Sequence, residues 1–232
     1  TWNTETWGTA RSTSNVTLDM GMWSFDNAGE DLYGWKKNDS TYVWDTSAGL
    51  ANNRMTAVTN APTASVTGLV STPDRHLICF GTEVTIGTPS TQDTMLIRWS
   101  DQEDFTNWTP SVSSTSGELQ VVDGTTLKGG IRSRNTIHVW SDQALYSLQY
   151  VGPPFIFAIS QLGTNCGLIG PHAAINVDGI SYWMGDNNFY RFDGRVDKLD
   201  CTVRRYLYDD FNMTQGDKVY AAVNSEFHEV IW

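Results

Sequence analysis

Three carboxylates fall close together in the run Trp99-Ser100-Asp101-Gln102-Glu103-Asp104-Phe105-Thr106-Asn107-Trp108-Thr109-Pro110. Glycoside hydrolysis uses two carboxylates that face each other across a cleft, about 5–10 Å apart. Glu103 and Asp104 are adjacent in a polar turn and point in different directions, so they read as a solvated acidic turn. The histidines His76, His138, His172 and His228 lack the i, i+4 or x3–5 spacing of metal ligands. His138 and His228 lie in strand-like runs where a polar residue alternates outward, which predicts surface or interface histidines. Cys166 sits in Gly163-Thr164-Asn165-Cys166-Gly167-Leu168-Ile169-Gly170, a glycine-punctuated turn that could expose a thiol. Only the distant His172 could lower its pKa, and a free cysteine is usually buried and inert. Those glycines do not form a phosphate loop, because no Gly-Lys-Ser/Thr follows and no helix begins there. The sequence therefore predicts no catalytic residue, no metal site and no cofactor. It reads as a non-enzyme.

The elements that would carry these residues are almost all strands and turns. Strands are expected at 20–25 and 31–35, joined by the turn cluster Asp26-Asn27-Ala28-Gly29, and again at 41–45. Residues 1–19 read as a lead-in, and 51–72, with Pro62 and many small polar residues, as a connecting loop or insertion. Further strands are expected at 76–80, 95–99, 118–122, 127–132, 136–140 and 144–151, then at 173–177, 179–184, 188–192, 219–223 and 226–232. Val177-Asp178-Gly179-Ile180 and Phe192-Asp193-Gly194-Arg195 carry Asp-Gly hairpin signals. Gly152-Pro153-Pro154-Phe155 makes an extended corner. A helix is expected over 202–211, with Val203, Tyr206, Leu207 and Phe211 on its inner face and Asp209 and Asp210 exposed. A single helical turn over 101–108, capped by Asp101, is also expected.

Five of the β-rich runs end on a tryptophan: Trp44, Trp99, Trp140, Trp183 and Trp232. The steps between them are 55, 41, 43 and 49 residues, and two copies extend identically as Trp-Ser-Asp-Gln from Trp99 and Trp140. A period in the forties built from short strands is that of a propeller blade, which must stack on neighbours to bury its faces. The expected fold is all-β, a β-propeller-like body of antiparallel hairpin blades with long loop insertions. The tryptophans are expected at equivalent blade positions, buried between blades. The chain ends inside an apparent strand and begins at Thr1, so 1–232 is expected to be one domain cut from a longer polypeptide.

Composition narrows the function classes. Charged residues make up 18 %, against roughly a quarter in ordinary globular chains, and the net charge is −11. With 15 Lys and Arg and no basic run, tight wrapping of nucleic acid is not expected. The three cysteines, Cys79, Cys166 and Cys201, are odd in number and read as free thiols of a reducing compartment. No apolar segment is long enough for a membrane span.

Several long motifs carry a family resemblance. They are Arg98 to Pro110, Trp140 to Pro154 (WSDQALYSLQYVGPP), Gln161 to Pro171 (QLGTNCGLIGP) and Tyr182 to Gly194 (YWMGDNNFYRFDG), with Trp23-Ser24-Phe25-Asp26-Asn27-Ala28-Gly29-Glu30-Asp31-Leu32 near the start. Together they resemble the tail nozzle or hub proteins of short-tailed DNA phages, also known as packaged-DNA stabilisation proteins. The resemblance spans about residues 20 to 232. It implies a propeller-like body in a six-fold ring of identical subunits at the distal end of a virion tail, made in the host cytoplasm. The ring closes the DNA channel and then conducts it. The implied partners are other copies of the chain, tail adaptor and tail fibre or spike proteins, and the phage genome in passing. Phe105, Trp108, Pro153, Pro154 and Phe155 are the expected interface residues. An acidic lumen would repel DNA and act as a low-friction conduit; alternatively the acidity sits outside for solubility.

A different class stays open beside it. The Trp99–Pro110 run is also similar to the Asp-box turn of sialidase propellers, but Asp101 follows Ser100 directly, the glycine is missing and Trp108 lies one residue too far. The abundance of Trp and Tyr would suit a carbohydrate-binding or glycan-hydrolysing propeller, since exposed aromatics stack on sugars. A scaffold propeller that binds a cellular partner is a third reading.

Overall fold

The computed structural model describes residues 21–49, 53–72 and 74–232. Its strands form five antiparallel sheets, each a simple meander in chain order. The first holds β1 (Trp23–Ala28), β2 (Asp31–Lys36), β3 (Thr41–Trp44) and β4 (Thr56–Ala57). The second holds β5 (Thr67–Ser71), β6 (His76–Phe80), β7 (Leu96–Trp99) and β8 (Gly117–Gln120). The third holds β9 (Leu127–Ser133), β10 (Thr136–Ser141), β11 (Ala144–Gly152) and β12 (Ile156–Thr164). The fourth holds β13 (Ala174–Val177), β14 (Ile180–Met184), β15 (Phe189–Phe192) and β16 (Val196–Lys198). A fifth has two strands, β17 (Ala222–Asn224) and β18 (Glu229–Ile231). The Asp178-Gly179 turn closes the β13–β14 hairpin, with both residues at positive φ (53° and 85°) as a two-residue type I′ connection requires.

The first strands of successive sheets touch in order, β1 on β5, β5 on β9, β9 on β13 and β13 on β17. One apolar cluster fills each gap between neighbouring four-stranded sheets. The first joins Trp35 to Val70 and Leu77, the second Phe80 to Leu127 and Val139, the third Trp140 to Ala174 and Trp183. A large aromatic on each second strand does most of the filling: Trp35, Phe80, Trp140 and Trp183 are all fully buried. Small residues on the next first strand make room for them. A Cβ on Gly130 would lie 2.9 Å from the Phe80 ring, and one on Gly68 would overlap the Trp35 indole and come within 2.7 Å of the Ile78 carbonyl oxygen. Neither the ring nor the backbone can yield cheaply in a close-packed interior. Gly68→Ala is expected to destabilise by about 1–3 kcal/mol through overpacking, read as a lowered melting temperature.

The structure revises several sequence expectations. The five tryptophans do not share one position. Trp44 and Trp99 end third strands, Trp140 and Trp183 lie on second strands, and Trp232 follows β18. The true counterparts of Trp140 in the first two sheets are Trp35 and Phe80. Long excursions at 81–95 and 100–116 in the second sheet offset the strand change, so the spacing stays even while the position shifts. The stretch expected as a loop contains β4 and β5; β5 is short, but Leu69 and Val70 are buried on both its faces. No helical turn forms over 101–108; the backbone there is turn and bend. The expected lead-in at 1–19 lies outside the described residues.

The expected helix is α1 (Arg204–Asp209), shorter than predicted and rotated. Val203 and Tyr206 are exposed and Leu207 borders on it, so of the expected inner face only Phe211 packs inward. Tyr208, not expected there, packs inward beside it, and its hydroxyl donates to the Gly185 carbonyl at 2.8 Å. A helix of six residues is oriented by its one anchoring side chain rather than by an apolar stripe. Asp209 and Asp210 are exposed, as expected.

Candidate functional site

Each first strand has one edge paired within its sheet, and the other edges converge on a common cavity of about 310 Å³. Its wall takes residues from β1, β5, β9 and β13 and from Tyr220 and Ala221 before β17. Across it runs a fork: Arg132 donates through Nη1 (2.7 Å) and Nη2 (3.0 Å) to the two carboxylate oxygens of Asp26. The same pair closes the free edge of β5, since Val70 N–H donates to Asp26 and the Val70 carbonyl accepts from Arg132. Unpaired edge groups are otherwise a liability, so β1, β5 and β9 are tied together by one ion pair. Thr67 Oγ1 donates to Ser24 Oγ at 2.8 Å, and His172 Nε2 lies 3.3 Å from Ser24 Oγ and 3.2 Å from the Trp23 carbonyl. Burial lowers the His172 pKa, against a weaker pull upward from that carbonyl and Asp217. Tyr220 stacks on the His172 ring with centroids 4.5 Å apart, yet stays half exposed.

The second feature is the β11–β12 hairpin, whose nine-residue strands are the longest in the protein's described residues. Its tip is Val151-Gly152-Pro153-Pro154-Phe155, with both prolines exposed and Phe155 77 % exposed. From Gln143 to Val177 the chain has no Asp, Glu, Lys or Arg, an unusual gap for a chain that is 18 % charged. Directly behind the tip the hairpin is core: Phe157 packs edge-on against Trp99 and Tyr150.

The other predicted interface residues do not stay on the surface. Trp108 is fully buried against the first sheet, and its indole N–H donates to the Phe105 carbonyl at 2.8 Å. Phe105 is partly buried edge-on against Tyr33. A turn so rich in polar residues gave no sign that it folds back over a neighbouring sheet. Trp44 is half-buried, Trp99 is 4 % exposed, and Trp232 packs on Phe189 with its indole N–H donating to the Ala173 carbonyl.

The two Ser-Asp-Gln copies hold parallel local structures on different strands. Asp101 accepts from Thr115 N–H (2.8 Å) and its hydroxyl (2.6 Å); Asp142 accepts from Thr125 N–H (2.7 Å) and its hydroxyl (2.6 Å). Burial pushes both carboxyls upward, but these hydrogen bonds outweigh it and leave each below the ordinary carboxylate range. Both aspartates act as clasps between loop and strand.

The histidines depart from their expected places, while Cys79 and Cys166 are free and buried as a plain cysteine is expected to be. His138 is buried, not on the surface, because Ser181 of the next sheet accepts or donates at 2.8 Å and the Trp140 and Phe192 rings close around it. His228 is exposed in the β17–β18 turn rather than in a strand. Cys166 and Cys79 are buried, and burial raises both thiols to about 11, which keeps them protonated and unreactive at neutral pH.

A line that sequence spacing did not reveal is Asp74, His76 and Thr115. Asp74 Oδ2 lies 3.3 Å from His76 Nδ1, close but not aligned as a hydrogen bond, and His76 Nε2 lies 3.1 Å from Thr115 Oγ1. An acid–imidazole–hydroxyl line is the shape of a nucleophile relay. Here the Thr115 proton is already given to Asp101, and His76 is fully buried among Tyr150 and Phe157. Thr115 is a strand-to-loop link. Among the described residues no three His, Cys, Asp or Glu side chains converge as metal ligands, and no helix is long and apolar enough to cross a membrane.

No protein-family model and no curated protein matches this chain.

Proposed function

We propose that the sheets are blades of a β-propeller-like body, and that the protein is a structural subunit of a phage tail nozzle or hub ring. The blade reading is supported by first strands that touch in chain order around one cavity, with large aromatics filling the gaps between sheets. The observation that carries the subunit reading is the β11–β12 hairpin. Its first strand and the Gly152-Pro153-Pro154 turn belong to the Trp140–Pro154 motif of the resemblance, and it presents an uncharged, apolar tip on a chain of net charge −11. An interface core is depleted of charge and enriched in aromatics, and a head-to-tail contact that closes by rotation makes a ring. A cavity of about 310 Å³ holds a small molecule and not a duplex, so the DNA channel lies between subunits. Few cations are available to grip phosphates, which suits DNA that slides past without base readout. Adaptor and fibre or spike proteins would cover the ring's two ends.

Mass in solution tests this. The chain is expected to form six-fold rings, and Phe155→Asp to reduce them to monomers while the melting temperature stays the same, because exposed substitutions change stability by about 0.5 kcal/mol or less. A wild-type protein that is monomeric at every concentration, or that binds DNA tightly at physiological salt, would defeat the proposal.

A further inference from the structure

The β11–β12 tip has an uncovered counterpart on the same chain. Val203, Tyr206 and Leu207 follow one another at i, i+3 and i+4, so they stand together on one side of α1. Tyr206 is 86 % exposed, and none of the three joins an apolar cluster. A surface helix normally turns a polar face to water. α1 is apolar outward as well as inward, where Tyr208 anchors it. From Thr202 to Tyr208 the chain carries Arg204 and Arg205 and no acid, on a protein of net charge −11. Arg205 is 90 % exposed, and its one ion pair among the described residues, to Asp209, is 3.4 Å long.

Tip and stripe stand at opposite ends of the strands. α1 is held at the β14–β15 turn, where Tyr208 donates to the Gly185 carbonyl and Arg204 Nη1 to the Asn187 carbonyl at 3.2 Å. That turn shares a cleft with Asp142 and Gln143, where β10 passes into β11. From there β11 runs nine residues, about 30 Å, to the tip. The two patches therefore cannot meet within one chain. Their chemistry matches. Prolines lack an N–H, so the tip offers apolar rings and carbonyl acceptors with few donors, and the stripe offers apolar surface beside two arginines. Proline-rich segments dock on aromatic surfaces in this way. Because the tip is uncharged, the contact sets no acid against another on two acidic copies.

We propose that the β11–β12 tip of one copy seats on the Val203–Tyr206–Leu207 stripe of the next. This rests on the ring reading and names the two surfaces that make the contact. Because they differ and lie at opposite ends, copies join head to tail, and a rotation closes them. The two aromatics, Phe155 and Tyr206, supply about 150–250 Å² each, well under the roughly 1,200–2,000 Å² of a stable interface. One contact is weak, and the closed ring, which grips each subunit twice, is what holds.

The test is mass in solution, by analytical ultracentrifugation of the intact chain. Wild type is expected as rings, and Tyr206→Asp as monomers with an unchanged melting temperature, since that ring packs on no core residue. Phe227→Asp, in the β17–β18 turn and 66 % exposed, should keep the rings. The two broken variants should complement each other, because Phe155→Asp keeps its stripe and Tyr206→Asp keeps its tip. Mixed at about 1 mM, ten times an expected Kd on the order of 0.1 mM, they should form one-to-one pairs and nothing larger, while each alone stays monomeric. Rings in Tyr206→Asp, or no pairing in the mixture, would overturn the tip-to-stripe contact and leave the ring reading standing. Rings lost equally in Phe227→Asp would overturn it as well. A monomeric wild type would remove the ring reading and this contact with it.

Discussion

Trp183→Ala is expected to lower stability by about 3–5 kcal/mol, the range for truncating a fully buried large aromatic. Trp183 has no exposed surface. One side stacks on Tyr190 at 5.5 Å, and the Trp140 ring lies 5.4 Å away at a tilt. Its indole N–H donates to the Cys166 carbonyl at 2.8 Å, an acceptor that the alanine variant leaves unpaired inside the protein. The cavity opens where the third and fourth sheets meet, so neither sheet can collapse to fill it alone. Urea unfolding should show a lower midpoint with the slope unchanged. Trp44→Ala is the informative comparison, because Trp44 is half-buried at the end of a third strand. It should cost less than half as much. Equal losses would mean that the two tryptophans play the same part after all, contrary to the strand positions described above.

Acidification from about pH 6.5 to pH 4 is expected to remove on the order of 3 kcal/mol of stability through His138 alone. Burial lowers this imidazole to about 4 from its ordinary 6.5. The unfolded chain therefore takes up a proton below pH 6.5 that the folded chain refuses until pH 4. Stability is unaffected above that window, falls through it, and stops falling from this cause beneath it. Asp101 and Asp142 act later. Their folded pKa values are depressed, so the stability they supply is present above the ordinary carboxylate range and is lost as pH falls through the lowered values. His138→Gln, which keeps a side chain able to pair with Ser181, should make the pH 6.5–4 slope shallower, leaving the part owed to His172, whose pKa burial also lowers, and the more acidic loss in place. Denaturant midpoints measured at half-unit steps of pH would show it; an unchanged slope in the variant would place the proton uptake elsewhere.

Local alternation and turn chemistry made much of the fold legible. The strands around residues 76–80, 95–99, 127–132 and 136–140 stand close to where apolar and β-branched runs placed them. Asp178-Gly179 forms its hairpin because both residues tolerate positive φ. The candidate site was less legible. Ser24, Thr67, Arg132, His172 and Tyr220 are scattered over almost the whole chain, and only the convergence of strand edges makes them one wall. Glycines inside strands carry a usable signal: Gly68 and Gly130 each open a first strand to the aromatic of the sheet before it.

By itself the sequence determined the all-β character, the hairpin turns, the lack of metal-ligand spacing and the uncharged stretch that holds the long β11–β12 hairpin. These depend on neighbours a few residues away, through side-chain alternation and backbone torsion preferences. Tertiary structure alone decided which tryptophan fills which gap, that Trp108 and His138 are buried, and that Tyr208 rather than Val203 turns inward. Burial is set by what packs from the next sheet, as Ser181 does on His138 across 43 positions of sequence and Cys79 on Trp35 across 44. An alternating strand has two faces, and only the arrival of the second sheet determines what each face meets.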